Sequence, residues 1–449
     1  MRPISLSILL LALLCFLSSG ISAEPAGLVL QVGTAMEDIT PPPGLPMAGY
    51  AARKDPAIGN WDTLFARTLV FDDGQTQAAL VTLDLLYAPP RPIRAAIMEA
   101  AQSEWGIDHV IFIASHTHSG PRFNLFDPNE DLPWLKTLHA KILSSIQKAN
   151  GNKVPVTLQY AEGELNMSYD RRLVNADGTV TMLFSNPDRL EPTKIDQAIR
   201  ILQMVDPEKK PVATLVHYAC HPVMFGGGNL KYSAEFPGVM KRHVEEQTGG
   251  MCFFMQGACG NVNPYNRASY DDEGYQALVA EGKQMGDEVL RALQTAKPIE
   301  EASPRITVLH PQTQLDFRYD PTKPEVREYY IKSYGAEYVD TLYKHKPKEL
   351  IVETPILMIG RQVAWAGFPG EFFNEFQVDL TSRSPVPHTF FLGYCNDNFS
   401  YFPTIKAAAE GGYGASNATD AEVGAGERLV DNVIIQLYTQ LGHLPPLPH

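Results

Sequence analysis

The chain has 449 residues, 44% of them hydrophobic and 20% charged, a globular composition that excludes a disordered chain or a low-complexity fibre. Thirty-seven Lys and Arg against 51 Asp and Glu give a formal charge of -14. With no local Lys/Arg run to act as an exception, so acidic a chain has no electrostatic reason to seek phosphate backbones or anionic lipid, and no nucleic-acid partner is expected.

Arg2 and the apolar run LSILLLALLCFL (residues 6–17), followed by the small and polar SSGISA, have the order of parts of a secretory signal over residues 1–23. The run is too short for a spanning helix, which needs about 20 residues. Cleavage is expected after Ala23, and the rest of the chain (24–449) is expected as one exported domain, periplasmic or secreted, with no transmembrane segment. Four cysteines follow that point, Cys220, Cys252, Cys259 and Cys395; their spacing fits neither a zinc knuckle nor a dense disulfide scaffold, which leaves buried thiols or one bridge.

Apolar, β-branched runs at 63–71, 78–83, 110–114, 154–160, 212–218, 251–255, 306–309, 355–366 and 390–392 read as strands, several of them apolar without alternation and so buried on both faces. Helical spacing lies between them. Ile93, Ile97, Ala100 and Ala101 share a face ahead of a stop at Gly106, as do Leu135, Leu138, Ile142 and Ile146. Leu429, Val430, Val433, Ile434, Leu437 and Tyr438 form a last amphipathic helix. Residues 319–350, rich in Tyr, Lys, Glu and Pro, read as a solvated helical insertion or a flap over a site. No internal repeat is visible. The fold class expected is α/β, a large mixed β-sheet flanked by helices, in a single domain.

Chemistry-bearing residues gather where these strands end, the usual place for sites in α/β sheets. In HVIFIASHTHSGP a strand delivers His116 and His118, whose i, i+2 spacing on extended backbone points both imidazoles to one side, as metal ligands require. Alone, that pair is equally read as two polar strand-end histidines. In VATLVHYACHPVMFGGG a second strand ends at His217, which lies nearer the strand and reads as structural, and at His221, the better ligand candidate. The small-residue turn in FFMQGACGNVNP can present N–H groups to an oxyanion. Glu371 in AWAGFPGEFFNEF taken alone is a first-turn helix carboxylate favoured by the dipole. Tyr401 in FFLGYCNDNFSYFPT is not singled out by composition. Two His with a carboxylate nonetheless make a plausible catalytic zinc shell, and zinc lowers the pKa of a bound water to about 7.

Together, HTHSGP, ACHP, QGACGNVNP and FPGEF, with DITPP (38–42), GYA (49–51) and DTLFARTLVFDDG (62–74), resemble the neutral/alkaline (non-lysosomal) ceramidase family, in order, from about residue 31 to about 416. The resemblance implies a zinc amidase cleaving an N-acyl bond in sphingolipid metabolism. It places zinc ligands on His116, His221, Glu371 and Tyr401, the second histidine of the HTH motif on His118, and the site arginine on Arg171 in SYDRRL, with Arg172 as fallback. It further implies that His118 acts as hydrogen-bond and proton donor and that Arg171 orients substrate.

Three departures bear on substrate. Asn261 and Asn263 stand where the family carries Asp and Ser, Glu235 stands at a frequent aspartate, and a single catalytic domain without the family's C-terminal β-sandwich is expected. The function expected is a secreted zinc-dependent hydrolase of an amide bond in a small amphiphilic or lipid-like N-acyl substrate. The alternatives are a zinc-dependent esterase acting on a non-sphingolipid and a non-catalytic binding protein that keeps the fold.

Overall fold

The structure, a computed structural model, describes residues 29–125, 132–301, 303–320, 323–336, 339–340 and 348–445. The expected signal segment 1–23 lies outside the described residues, as do parts of the 319–350 segment, where a largely exposed helix, Pro324–Tyr334, is described. Among the described residues no helix is long and apolar enough to cross a membrane.

The α/β class expected from the sequence is found, with most strands in three mixed sheets and the others in two-stranded pairs. Each sheet is built by the same path. Three strands run antiparallel in succession, a helix crosses over, and a fourth strand returns parallel to the third at the sheet edge.

In the first unit those strands are Gln31–Asp38, Phe65–Asp72, Gln77–Leu83 and His109–Ala114, the crossover helix being Arg91–Trp105. In the second they are Thr157–Glu164, Ala198–Val205, Pro211–Tyr218 and Met251–Gln256, with helix Glu235–Thr248. In the third they are Ile306–Leu309, Ile356–Ile359, Val363–Gly367 and His388–Leu392, with helix Asn374–Arg383. A further long helix closes each unit: Pro133–Gly151, Asp272–Leu293 and Ala425–Gln440. After the first two of these, the short strands Val154–Pro155 and Lys297–Pro298 pair back onto the unit's opening strand. The sequence thus hides a threefold topological repeat that no residue-level similarity betrays.

Packing explains why the strands lack polar alternation. One face of every sheet meets the other two sheets in a shared core containing Leu69, Phe71, Ala213, Leu215, Val363 and Trp365. The opposite face is covered by the unit's own helices: Ala66 and Val70 against Leu138 and Ile142, Val216 and Tyr218 against Leu278 and Met285, Ala364 and Ala366 against Leu429 and Val433. Period-two alternation persists, but it sorts residues between two apolar surfaces instead of between core and water.

Local signals also account for the strand and helix ends. Gly106 adopts φ 68° and its N–H closes onto the Gln102 carbonyl, the left-handed stop expected there. The run at 355–366 is two strands, because Gly360 with φ 55° turns the chain between Ile359 and Val363. All third and fourth strands point their C-terminal ends toward the region where the three units meet.

Candidate active site

Each unit sends a different side chain into that region. Beyond the strand His109–Ala114, the Ser115 N–H bonds the Leu83 carbonyl at 2.8 Å and the His116 N–H bonds the Leu85 carbonyl at 2.9 Å. His116 is thereby held at φ 65°, a conformation a non-glycine residue keeps only where its surroundings fix it. His221 follows the strand Pro211–Tyr218, its N–H bonded to the Val262 carbonyl at 3.1 Å. Glu371 and Tyr401 are direct partners in a short parallel pair, Glu371–Phe372 with Tyr401–Phe402. Gly260 closes the floor: a Cβ there would lie 2.5 Å from the Glu371 carbonyl oxygen, so only glycine lets this turn approach the pair.

The four side chains that the sequence brought forward as ligands converge. Glu371 Oε2 lies 3.2 Å from His221 Nε2 and 3.5 Å from His116 Nε2. The Tyr401 hydroxyl hydrogen bonds with the Glu371 carboxylate and accepts a bond from Arg171 Nη2 at 3.0 Å. His118 Nε2 is 3.2 Å from His116 Nε2, and the ligand atoms of His116, His118 and His221 all lie within 4.8 Å of one another. His116, His221, Glu371 and Tyr401 are buried, and His118 is partly exposed.

Hydrogen bonds fix the tautomers. His116 Nδ1 is 2.9 Å from the Leu86 carbonyl and His221 Nδ1 is 3.0 Å from the Val262 carbonyl. A carbonyl only accepts, so both Nδ1 atoms carry the proton and both Nε2 atoms present lone pairs toward the carboxylate. Burial drives the His221 pKa down to about 4, outweighing the attraction of Glu371, and the imidazole is neutral. Burial raises the Glu371 pKa, but the neighbouring His116 and His221 overcome it and hold the carboxyl well below its ordinary value. The Nε2 atoms of His116 and His221 thus face one anionic oxygen, an arrangement that a cation or a shared proton can fill. Donors that share one tetrahedral ion at 2.0–2.2 Å stand roughly 3.3 Å apart, the spacing seen here. The residues fit a divalent cation.

His118 differs from its neighbours. Burial and the two adjacent imidazoles push its pKa well below the ordinary value, and its Nδ1 has no hydrogen-bond partner. The Gly49 backbone lies against that side of the ring, where a Cβ would come within 2.6 Å. The Arg53 guanidinium, through Nη1, donates to the His118 carbonyl at 3.0 Å. No carbonyl faces either ring nitrogen of His118, and its Nε2 meets the His116 Nε2 at 3.2 Å.

Arg171 and Arg172 point to different surroundings. Arg171 is buried among Gly260 O at 2.7 Å, Tyr401 Oη at 3.0 Å and Asn263 Oδ1 at 3.4 Å. Arg172 turns away to Glu410 and the Gly411 carbonyl.

Two readings of the second unit need correcting or narrowing. Three N–H groups of the small-residue turn are already committed: those of Gly257, Ala258 and Gly260 bond Tyr218 O, Gln377 Oε1 and Phe372 O. Cys220, Cys252, Cys259 and Cys395 are all free and buried, and burial raises the Cys259 thiol far above its usual range beside the Tyr394 hydroxyl, so it is no nucleophile. His217 lies outside the cluster and donates from Nε2 to the Phe391 carbonyl at 2.7 Å, tying the second unit to the third.

Sequence reasoning missed two aromatic residues. Tyr394 stacks on His116 with ring centroids 3.8 Å apart, and Tyr413 meets Tyr401 edge-on at 5.4 Å with the Arg171 guanidinium 5.7 Å from its ring. The signals were Tyr394 two residues after a strand end, and Tyr413 in GGYGAS, whose glycines 411, 412 and 414 all have positive φ.

A mixed α/β protein with a buried histidine–carboxylate cluster at converging strand ends is the class these observations define. Residues 30–269 match the neutral/alkaline non-lysosomal ceramidase family, N-terminal region, and the chain belongs to that family. It is 23% identical over 235 residues to the neutral ceramidase of Pseudomonas aeruginosa, covering 49% of this chain and 34% of that protein. The chain thus spans about a third of the length of this curated relative. Its fold is that of the crystal structure of the Pseudomonas aeruginosa neutral ceramidase, with a TM-score of 0.74 at 17% identity over 94% of this chain and 76% of the other. A structure of a ceramidase complexed with C2 gives 0.72 at 17% identity, with the same coverage of both chains.

Proposed function

We propose that this protein is an exported, zinc-dependent hydrolase that cleaves the N-acyl amide bond of a small amphiphilic or lipid-like substrate, as the name of its ceramidase relatives suggests. One observation carries the reading: the Nε2 atoms of His116 and His221 and the Glu371 carboxylate meet 3.2–3.5 Å apart, the spacing of donors around one tetrahedral ion. His116, His221, Glu371 and Tyr401 would hold the ion, and two imidazoles with oxygen donors suit zinc. Bound there, zinc supplies Lewis acidity and a water of lowered pKa.

The chain's own residues do the rest. The Arg171 guanidinium, fixed by Gly260 and Asn263, holds a cation beside the Tyr401 oxygen and stabilises negative charge on it. His118, beside His116 and with no partner at its Nδ1, would take the proton released in the attack and pass it to the departing amine. Phe184 and Tyr413, partly exposed beside Arg171, give the approach an apolar, aromatic lining suited to an acyl chain.

The test is zinc content of the purified protein together with hydrolysis of ceramides, N-acyl amino acids and simple esters, before and after chelation. About one zinc per chain, with N-acyl cleavage lost to chelator and restored by zinc, is the expected result. Turnover unaffected by chelation, or cleavage of esters alone, would overturn the proposal.

A further inference from the structure

Gln256 ends the strand Met251–Gln256 and is fully buried where the three units meet. Its carboxamide nitrogen donates to the Ser115 carbonyl and to the Cys220 carbonyl, each at 2.9 Å. Its Oε1 accepts the Cys220 N–H at 3.3 Å. Both side-chain hydrogens and the side-chain oxygen are therefore engaged with backbone groups of the two residues that directly precede His116 and His221. The Gln256 carbonyl also accepts the N–H of Gly393 at 2.9 Å, the residue before Tyr394, whose ring stacks on His116. A single residue of the second unit fixes the chain leading to His116 in the first, to His221 in its own, and to Tyr394 in the third.

We propose that Gln256 is a positioning residue for the metal centre, its carboxamide setting the separation between the two strand ends that carry His116 and His221. The inference rests on the zinc reading above. Its physical basis is the donor count. Ser115 and Cys220 each present a carbonyl oxygen to the same point, and a carboxamide is the side chain of this length that supplies two hydrogens and one acceptor. Glutamate has the same shape but, when ionised, has no hydrogen to offer either carbonyl. Methionine fills the space and leaves both carbonyls and the Cys220 N–H unpaired. In each case the strand ends lose the tie that holds their spacing, and metal sites tolerate ligand displacements of only about 0.2 Å.

The experiment measures zinc affinity of the full-length protein by chelator competition in wild type, Gln256→Met, Gln256→Glu and a control, Gln203→Met. Gln203 is a buried carboxamide in the same sheet, donating to Thr214 Oγ1 at 3.0 Å and accepting from Gln159 at 2.6 Å, on the strand Ala198–Val205 and outside the histidine cluster. Loss of a partner that orients metal ligands typically weakens binding 10–100-fold, so a weakening of that order is expected in both Gln256 variants and none in Gln203→Met. Gln256→Glu decides the matter should Gln256→Met fail to fold. Zinc affinity within twofold of wild type in a folded Gln256 variant, or an equal loss in Gln203→Met, overturns the role of Gln256. Wild-type protein that takes up no zinc instead refutes the metal reading beneath it, so the two failures are told apart.

Discussion

Replacing Glu371 by glutamine keeps the size and planarity of the side chain and removes its charge. In the structure that carboxylate lies between two imidazoles, with Oε2 at 3.2 Å and 3.5 Å from their Nε2 atoms. If these atoms share an ion, the substitution exchanges an anionic donor for a weak neutral one. The loss of affinity should then exceed the 10–100-fold range that outer partners of metal ligands produce. Ligand binding to the folded state adds RT ln(1 + [L]/Kd) to stability. At free zinc equal to 100 times the wild-type Kd, wild type gains about 2.7 kcal/mol, whereas a variant with Kd weakened 100-fold gains about 0.4 kcal/mol. The zinc-dependent increment thus falls by about 2.3 kcal/mol or more, well outside the error of paired urea titrations with zinc and with chelator. Elemental analysis of the same samples should show about one zinc per wild-type chain and far less in Glu371→Gln. A variant that keeps the full zinc increment and zinc content removes Glu371 from the site, and a wild type without any increment removes the ion.

Other substitutions probe the surroundings. Arg171→Lys replaces a planar fork spanning Gly260 O, Tyr401 Oη and Asn263 Oδ1 by a single ammonium. Steady-state kinetics should show kcat/KM lowered roughly 10–100-fold, about 1.4–2.7 kcal/mol, with zinc content retained. Asn261 Nδ2 bridges Asp170 at 3.2 Å and Glu375 at 3.3 Å, and burial, with Glu375 adding to it, already raises the Asp170 pKa to about 7. Asn261→Asp adds a third carboxyl there, so urea unfolding at pH 8 should show a loss of roughly 3–5 kcal/mol that shrinks below pH 6 as protons are taken up. Glu235, fully buried, has its pKa raised to about 8 by burial despite accepting the Met224 and Phe225 N–H groups. Between its ordinary value of 4.5 and 8 the native state keeps a proton that the unfolded chain has lost, so stability falls as pH rises through that window, by at most about 1.4 kcal/mol per pH unit. Glu235→Gln should flatten that part of the profile in urea titrations from pH 5 to 8, and an unchanged slope refutes the assignment.

How far the sequence could be read followed the range of the signal. The strands at 78–83, 110–114 and 212–218 were visible because a run of apolar residues is a local property. Gly106 announced the end of its helix for the same reason. The helices Glu235–Thr248 and Asp272–Leu293 escaped because their buried faces carry Lys241, Glu281 and several glycines in place of a clear apolar stripe. The threefold path escaped because it is a relation among strand directions, and the three third strands share nothing beyond being apolar. His116 and His118 carried a spacing signal, but its premise of extended backbone fails: the strand ends at Ala114, His116 has φ 65° and His118 lies in a turn, so the two rings meet through a bend. Glu371 and Tyr401 carried no such signal, and gained weight only from the resemblance of several motifs at once. Gln256 and Tyr394 were beyond reach, since their roles exist only after two or three units have packed together.

The arrangement of the units bears on why the site is where it is. In each sheet the third and fourth strands end together, leaving backbone N–H and C=O groups unpaired at the point where the polypeptide must turn. Three such ends meeting around the buried core would leave several of these groups in a space with little water. The structure resolves part of that demand with side chains: Gln256 serves Ser115 and Cys220, Gln377 serves Ala258, and His116 and His221 serve Leu86 and Val262 through Nδ1. The last of these is consequential. An imidazole that donates to a buried carbonyl is committed to one tautomer, and its other nitrogen then turns a lone pair toward the centre. Satisfying the strand ends therefore creates the very set of inward-facing donors that, with Glu371 between them, calls for a cation. The metal site on this view is a product of backbone accounting at the meeting of three sheets. Its prediction is specific: replacing His221 by Ala should lower the stability of the chelated protein as well as zinc uptake, because the Nδ1 bond to Val262 belongs to the fold. A loss of roughly 1–3 kcal/mol in chelator is expected from urea titration, and a chelated variant as stable as chelated wild type would separate the ligand from the scaffold and refute the argument.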